Sequence, residues 1–397
     1  MASKKGSTKK KGSSKKNKQA QQLKALITLL VIVLVIVLVA YFVFDVNLVE
    51  LAFNYINGGE PSHTHTPSPS PTYTFTDGDT EELQIHFLEL GNKYTGDCTL
   101  IKVGDTEVLI DAGSRKNSAV AIKEYVDKFC TDGVLEYVIA THAHQDHIAG
   151  FVGSKQGDTR TGILYQYDIE VLIQFALTNA TSALYGEYQD AVEYAESQGT
   201  EVYTALECWN ETDGAKKSYA LDEEGEITLN ILYNYFYENK TSDENDYSVC
   251  TLITQGSNNY LLTGDLEKEG EEKLVENNDL PKCKLFKAGH HGSDTASNDV
   301  LLNAIEPEIV CVCCCCGSDE YTDNIDNMFP AQAFVERVLK YTDKIYVTSV
   351  VADNDAGYTS MNGYIVVKST GGEVVVQCSN NDTIFTDTEW YKNNRVA

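Results

Sequence analysis

Three histidines and an aspartate fall within six residues of one another, in the run Thr141-His-Ala-His-Gln-Asp-His-Ile-Ala-Gly150. The chain has only eight histidines, so this density is concentrated chemistry. The apolar stretch Leu135–Ala140 precedes the run and has the composition of a strand. Imidazole nitrogens with a carboxylate suit zinc, and a turn leaving a strand can aim alternate side chains at two neighbouring ions. A solvated surface loop is the plainer alternative, but apolar segments bracket the cluster too closely for it. Whatever fold the chain adopts must deliver this loop to a place that other ligands can reach.

Upstream, Ala25–Phe44 holds 20 consecutive residues without a charge. At about 1.5 Å per residue a helix of that length spans a bilayer core. Nine lysines and no acidic residue precede it within residues 1–24, while Asp45, Glu50 and Glu60 follow. That asymmetry predicts a cytoplasmic N-terminus, a single transmembrane helix over 25–44 and the remainder outside the cell membrane. A cleaved signal peptide fits less well, because the apolar run exceeds an ordinary h-region and no small-x-small site follows. Residues 45–82 read as a linker rich in Pro, Ser and Thr. The His63/His65 pair inside it reads as linker sequence, not as a metal site.

Residues 83–397 have globular character. Strand-like runs occur at 84–89, 99–103, 107–110, 135–140, 227–233, 249–254, 260–262, 309–315, 345–350 and 364–368. Helical patterns occur at 118–129, 188–198, 266–276 and 331–341. This mixture predicts one layered α/β domain. The formal net charge is -28, and outside the basic tail 59 acidic residues face 22 basic ones. Such a field opposes polyanions, so any nucleic-acid function has to contend with it. Five of the eleven cysteines crowd into Cys311-Val-Cys-Cys-Cys-Cys316. Adjacent cysteines cannot all reach disulfide geometry, and the spacing is not that of a structural zinc site. A buried strand using Cys as a small hydrophobe is the expectation.

The metal loop with its preceding strand resembles the signature of the metallo-β-lactamase superfamily. Val108-Leu-Ile-Asp-Ala-Gly113, Leu261-Leu-Thr-Gly-Asp265 and Leu285-Phe-Lys-Ala-Gly-His-His-Gly-Ser293 resemble further elements of that family, in the family's order. Within it, His86-Phe-Leu-Glu-Leu-Gly91, Gly96-Asp97, Ser248 and the His-His-Gly-Ser block are similar to the hydrolase domain of ComEC-type competence proteins and their stand-alone relatives. The resemblance covers residues 83–378. It implies a four-layer αββα sandwich behind a single transmembrane helix. The multi-helix channel of those competence proteins has no counterpart among the apolar runs here.

The resemblance also implies a site. His142 and His144 would hold one divalent ion, Asp146, His147 and His291 a second, with Asp265 bridging the two and Asp111 orienting the loop. Zinc is the expected metal, manganese the alternative. Asp146 and His290 are the catalytic candidates, His290 facing a substrate oxygen, with Lys287 and Ser293 as candidate oxyanion contacts. Two departures from the family pattern stand out. No histidine occurs from 148 to 289, where the superfamily usually supplies one, which leaves one metal site to be completed by water or another group, or else weak or empty. Phe329-Pro330 stands where many relatives have His-Pro. The implied function is a membrane-anchored metal-dependent hydrolase acting on a phosphoester, with DNA as the family's substrate. Lys282, Lys284 and Lys287 are the only basic cluster near the motifs. Lactone, ester or amide hydrolysis is the alternative chemistry, and a non-catalytic anchored binding module the alternative class. No stable protein partner is predicted.

Overall fold

A computed structural model describes residues 82–157, 159–352 and 357–395. The basic tail, the expected membrane helix at 25–44 and the linker with His63 and His65 lie outside the described residues. Among those described, no helix is long and apolar enough to cross a membrane.

The first sheet draws on β1 (Leu83–Phe87), β2 (Thr99–Val103), β3 (Thr106–Ile110) and β4 (Val134–Ala140). A two-stranded ribbon follows, β5 (Lys155–Gln156) with β6 (Thr159–Arg160), then β7 (Asp168–Gln174) and β8 (Glu201–Thr204). The second sheet contains β9 (Ser218–Ala220), β10 (Ile227–Ile231), β11 (Thr251–Gln255), β12 (Asn258–Leu262), β13 (Leu285–Lys287), β14 (Ile309–Cys316), β15 (Ile345–Val351) and β16 (Tyr358–Ser360). The chain then returns to the first sheet with β17 (Ile365–Ser369) and β18 (Val374–Cys378). The orders are β18-β17-β1-β2-β3-β4-β7-β8 and β16-β15-β14-β13-β12-β11-β10-β9, eight strands each.

Both sheets change from antiparallel to parallel pairing part-way across. β3 pairs parallel with β4 and β4 with β7, while β12, β13, β14 and β15 form the other parallel set. Parallel neighbours need crossover segments, and helices supply them. These are α1 (Ser118–Val126), α2 (Gln145–Val152), α3 (Ala183–Gln198), α5 (Lys268–Asn277), α6 (Asp299–Ile305) and α7 (Gln332–Val338). In sequence α4 (Ala205–Asn210) lies between β8 of the first sheet and β9 of the second, and α8 (Glu389–Asn394) closes the described chain. The loops that leave β4, β12 and β13 carry the residues expected from the sequence to bind metal, as loops at the ends of parallel strands commonly carry function.

The larger core joins apolar residues of both sheets, among them Ile85, Leu100, Ile139, Ile253, Tyr260 and Leu285, and takes in α1, α2 and α3. A second core lies between the other face of the second sheet and α5, α6 and α7, through Leu261, Phe286, Leu274, Leu302 and Phe334. The result is a two-sheet α/β sandwich with helices on its outer faces.

The cysteine run is buried strand, as its flanking residues suggest. Ile309, Cys311 and Cys313 enter the larger core, while Val310, Val312, Cys314 and Cys316 enter the second. The alternation of a strand's side chains produces this division, and the pairing with β15 shifts register between Val312 and Cys315. All five thiols are free and buried. Burial pushes the Cys315 thiol up to about 12 and those of Cys311, Cys314 and Cys316 well above their ordinary value. Protonated thiols of this kind are inert fillers.

Candidate active site

The metal loop begins where β4 ends and closes into α2, so Ala140–His144 leaves the sheet edge and Asp146 and His147 sit in the first helical turn. Two close approaches hold that helix. Gly150 N donates to Ala112 O at 2.8 Å, and a Cβ on Gly150 would lie 1.9 Å from that oxygen, so only glycine fits. Asp111, at the end of β3 with φ 60°, accepts from Thr141 N and from Thr141 Oγ1, both at 2.8 Å. Its Oδ2 also lies 2.7 Å from His147 Nδ1, which fixes that ring's orientation.

The six expected ligands form a continuous series of contacts. His144 Nδ1 lies 3.0 Å from His142 Nε2, and the His142 and His147 rings are 4.1 Å apart at their centroids. His147 Nε2 is 3.0 Å and His291 Nε2 3.2 Å from Asp265 Oδ2. His291 Nε2 also lies 3.3 Å from Asp146 Oδ2. Gly264, with φ 56°, packs against Ser248, whose Oγ accepts from Asp265 N at 3.0 Å and so aims the carboxylate.

His290 and His291 occupy a short turn in which both have left-handed backbone angles, φ 45° and 54°. Consecutive non-glycine residues there are strained, and the strain sends the two rings different ways. His291 is fully buried among the ligands, its Nδ1 3.0 Å from Cys313 O. His290 stays partly exposed at the rim. Its Nδ1 lies 3.0 Å from Glu267 Oε1, which also accepts from Thr295 Oγ1 at 2.8 Å, and its Nε2 lies 4.0 Å from Asp265 Oδ2.

Buried charges here balance one another. Burial alone would strip the proton from His147, but Asp265 and then Asp111 outweigh it and hold its pKa well above the usual histidine value. Asp265 is driven well below the carboxylate range against burial, first by His147 and then by His291. His142 is depressed, by burial and by the charge on His147.

Asp97 was not singled out as a site residue by its sequence context, yet it lies in the centre. Asp97, His147, Asp265 and His291 each place a ligand-type atom within 4.8 Å of the others, and all four are buried. Asp97 faces the Nδ1 edges of His147 (3.9 Å) and His291 (3.2 Å), behind the Nε2 edges that meet Asp265. Lys287 pairs with it directly. Asp97 therefore steadies the imidazoles, and Lys287 neutralises Asp97. This corrects the role expected of Lys287: it is buried in an ion pair and is not a free oxyanion contact. The other lysines of the expected basic cluster are also engaged, Lys282 with Glu306 at 2.7 Å and Lys284 with Glu308. Ser293 is buried, its Oγ 2.9 Å from Thr295 Oγ1. Tyr321, another residue the sequence gave no reason to select, donates its hydroxyl to Asp146 Oδ2 at 2.8 Å.

The donor set fits a divalent metal. Imidazole Nε2 atoms converge on a carboxylate, and Asp265 Oδ1 is buried with no hydrogen-bond partner. A buried carboxylate oxygen left bare is costly unless a cation satisfies it.

Residues 91–177 match the family model described as the metallo-beta-lactamase superfamily. That stretch, which holds the histidine-rich loop, is similar to the superfamily. Its sequence is similar to Recombination protein 2 of Haemophilus influenzae, 29% identical over 110 residues, covering 28% of this chain and 13% of the relative. It is also similar to Competence protein ComA of Neisseria gonorrhoeae, 40% identical over 72 residues, 18% of this chain and 10% of the relative. The matched stretch thus spans a small fraction of these relatives' length. A metallo-beta-lactamase fold protein of Bacillus subtilis superposes over 68% of this chain and 96% of its own, with 12% identity and a TM-score of 0.37. The stretch that matches the family model contains His142, His144, Asp146 and His147, while Asp265 and His291 lie beyond it.

Proposed function

We propose that this chain is a membrane-anchored, extracytoplasmic phosphodiesterase that works with two divalent metal ions, zinc being the preferred identity. The observation that carries the reading is the series of contacts linking His144, His142, His147, Asp265, His291 and Asp146, with Asp265 Oδ1 left bare within it. His142 and His144 would hold the first ion, Asp146, His147 and His291 the second, and Asp265 would lie between them. When bound, such a pair lowers the pKa of a shared water toward neutrality and stabilises the charge that develops on the phosphoryl oxygens.

The chain's own residues set the geometry. Asp111 holds the orientation of His147, and Asp97, neutralised by Lys287, backs His291. Glu267 holds His290 by Nδ1, leaving Nε2 at the rim to meet a substrate oxygen. The names of the matched relatives, a recombination protein and competence proteins, support a nucleic-acid phosphodiester as substrate. With Lys282 and Lys284 paired and a large acidic excess, the domain is poorly suited to gripping duplex by its backbone, so a short or unpaired strand is the favoured form. The anchor rests on the uncharged run Ala25–Phe44 and the lysines before it.

One experiment tests activity and topology together. Intact cells producing the full chain are offered bis-p-nitrophenyl phosphate in parallel with nitrocefin and a lactone. The expected outcome is phosphodiester hydrolysis that chelator and external protease both abolish. Turnover of nitrocefin or the lactone instead would contradict the substrate class. Activity that appears only after lysis would contradict the outward orientation.

A further inference from the structure

We propose that Tyr321 and Phe329 form an aromatic wall beside the metal cluster that takes a planar aromatic group next to the scissile phosphoester, namely an unpaired nucleobase. The inference rests on the phosphodiesterase reading and specifies its substrate. Both residues lie in the segment between β14 and α7. Phe329 sits 5.8 Å from the ring of His290 and 5.9 Å from that of His291, centroid to centroid. Tyr321 lies 5.4 Å from Phe329 at 37°. Its hydroxyl is engaged by Asp146 while the residue remains 52% exposed. An exposed tyrosine is ordinary by itself. One whose hydroxyl is fixed on a metal-loop carboxylate, with its ring turned to solvent, is a surface presented to whatever occupies the site.

The wall is held in place. Glu320, next to Tyr321, pairs with Arg115 at 2.7 Å and accepts from Thr95 N at 2.9 Å. Gly317 N donates to Phe329 O at 2.9 Å. Arg395 Nη2 donates to Met328 O and to Pro330 O, both at 2.7 Å. A platform ordered in advance loses little entropy on binding. The replacement of histidine by Phe329 fits the same purpose, exchanging a polar contact for a flat apolar one.

Charge decides what the wall receives. A nucleobase can be held by its π-face without a basic groove, and Lys282, Lys284 and Lys287 are each held in an ion pair. Aliphatic head groups would gain little from two aromatic rings set at 37° to each other.

The test is calorimetric titration of the full chain in detergent, loaded with Zn2+, with thymidine 5′-monophosphate and with glycerol 3-phosphate. The wild type should bind the nucleotide roughly tenfold more tightly. Tyr321→Ala should erase that advantage, whereas Tyr321→Phe, which keeps the ring and loses the hydroxyl, should retain it. Equal affinities in the wild type, or an advantage undiminished in Tyr321→Ala, would overturn the wall even if bis-p-nitrophenyl phosphate is cleaved. A ring-dependent preference in a protein that cleaves no phosphodiester would uphold the wall and overturn the phosphodiesterase reading instead.

Discussion

At the scale of single residues, the domain repeatedly buries a titratable group and then dictates its charge by what surrounds it. His86 shows this away from the metal cluster. It is buried in β1, its Nδ1 2.8 Å from Tyr125 Oη and its ring 4.5 Å from that of Phe129. Burial, then the charges of Lys368 and Lys102, lower its pKa from 6.5 to about 3. Above pH 6.5 the ring is neutral in folded and unfolded chains alike. As pH falls below that value the unfolded chain takes up a proton that the folded domain refuses. Stability from this group is therefore lost as pH falls from 6.5 toward 3, at about 1.4 kcal/mol per pH unit. Chemical denaturation across this range should give a shallower acid slope for His86→Phe than for wild type. Identical slopes would show that His86 is not held neutral. Asp97 and Tyr321 mark the limit of reading single residues. Gly96-Asp97 was visible as part of a family pattern, but its ion pair with Lys287 joins positions far apart in sequence. Tyr321 sits in a polar loop with no motif around it, and only the fold brings it to Asp146.

Among the elements, those with a strong local signal were legible. All ten strand-like runs fall on observed strands, because an apolar run of five or so residues is a strand's own signature. Helix α2 was not read as a helix, since the ligands it carries replace the apolar pattern of its first turn and tertiary contacts through Gly150 hold it. Short pieces such as β13 and α6 give too little periodicity to read. The cysteine strand was legible through its flanks, and its energetics can be checked. Cys313 and Cys315 are both buried with protonated thiols. Changing both to Val should cost under about 1.5 kcal/mol, with metal content unchanged. A sharp fall in melting temperature with loss of one ion per chain would mean that these cysteines bind metal.

For the whole molecule, two sheets bring loops from β3, β4, β12 and β13 together, so that Asp146 and His291, 145 residues apart in sequence, meet there. The four motifs and their order were present in the sequence, whereas their distances depend on the register between strands and could only be seen folded. The central claim is that these loops build one two-metal centre hinged on Asp265. Elemental analysis of the purified full chain tests it most directly. Wild type should carry about two divalent ions per chain. Asp265→Ala should lose most of that metal, more than His142→Ala or Asp146→Ala, and hydrolysis should vanish with it. An Asp265→Ala protein that keeps its full metal content and activity would contradict the account.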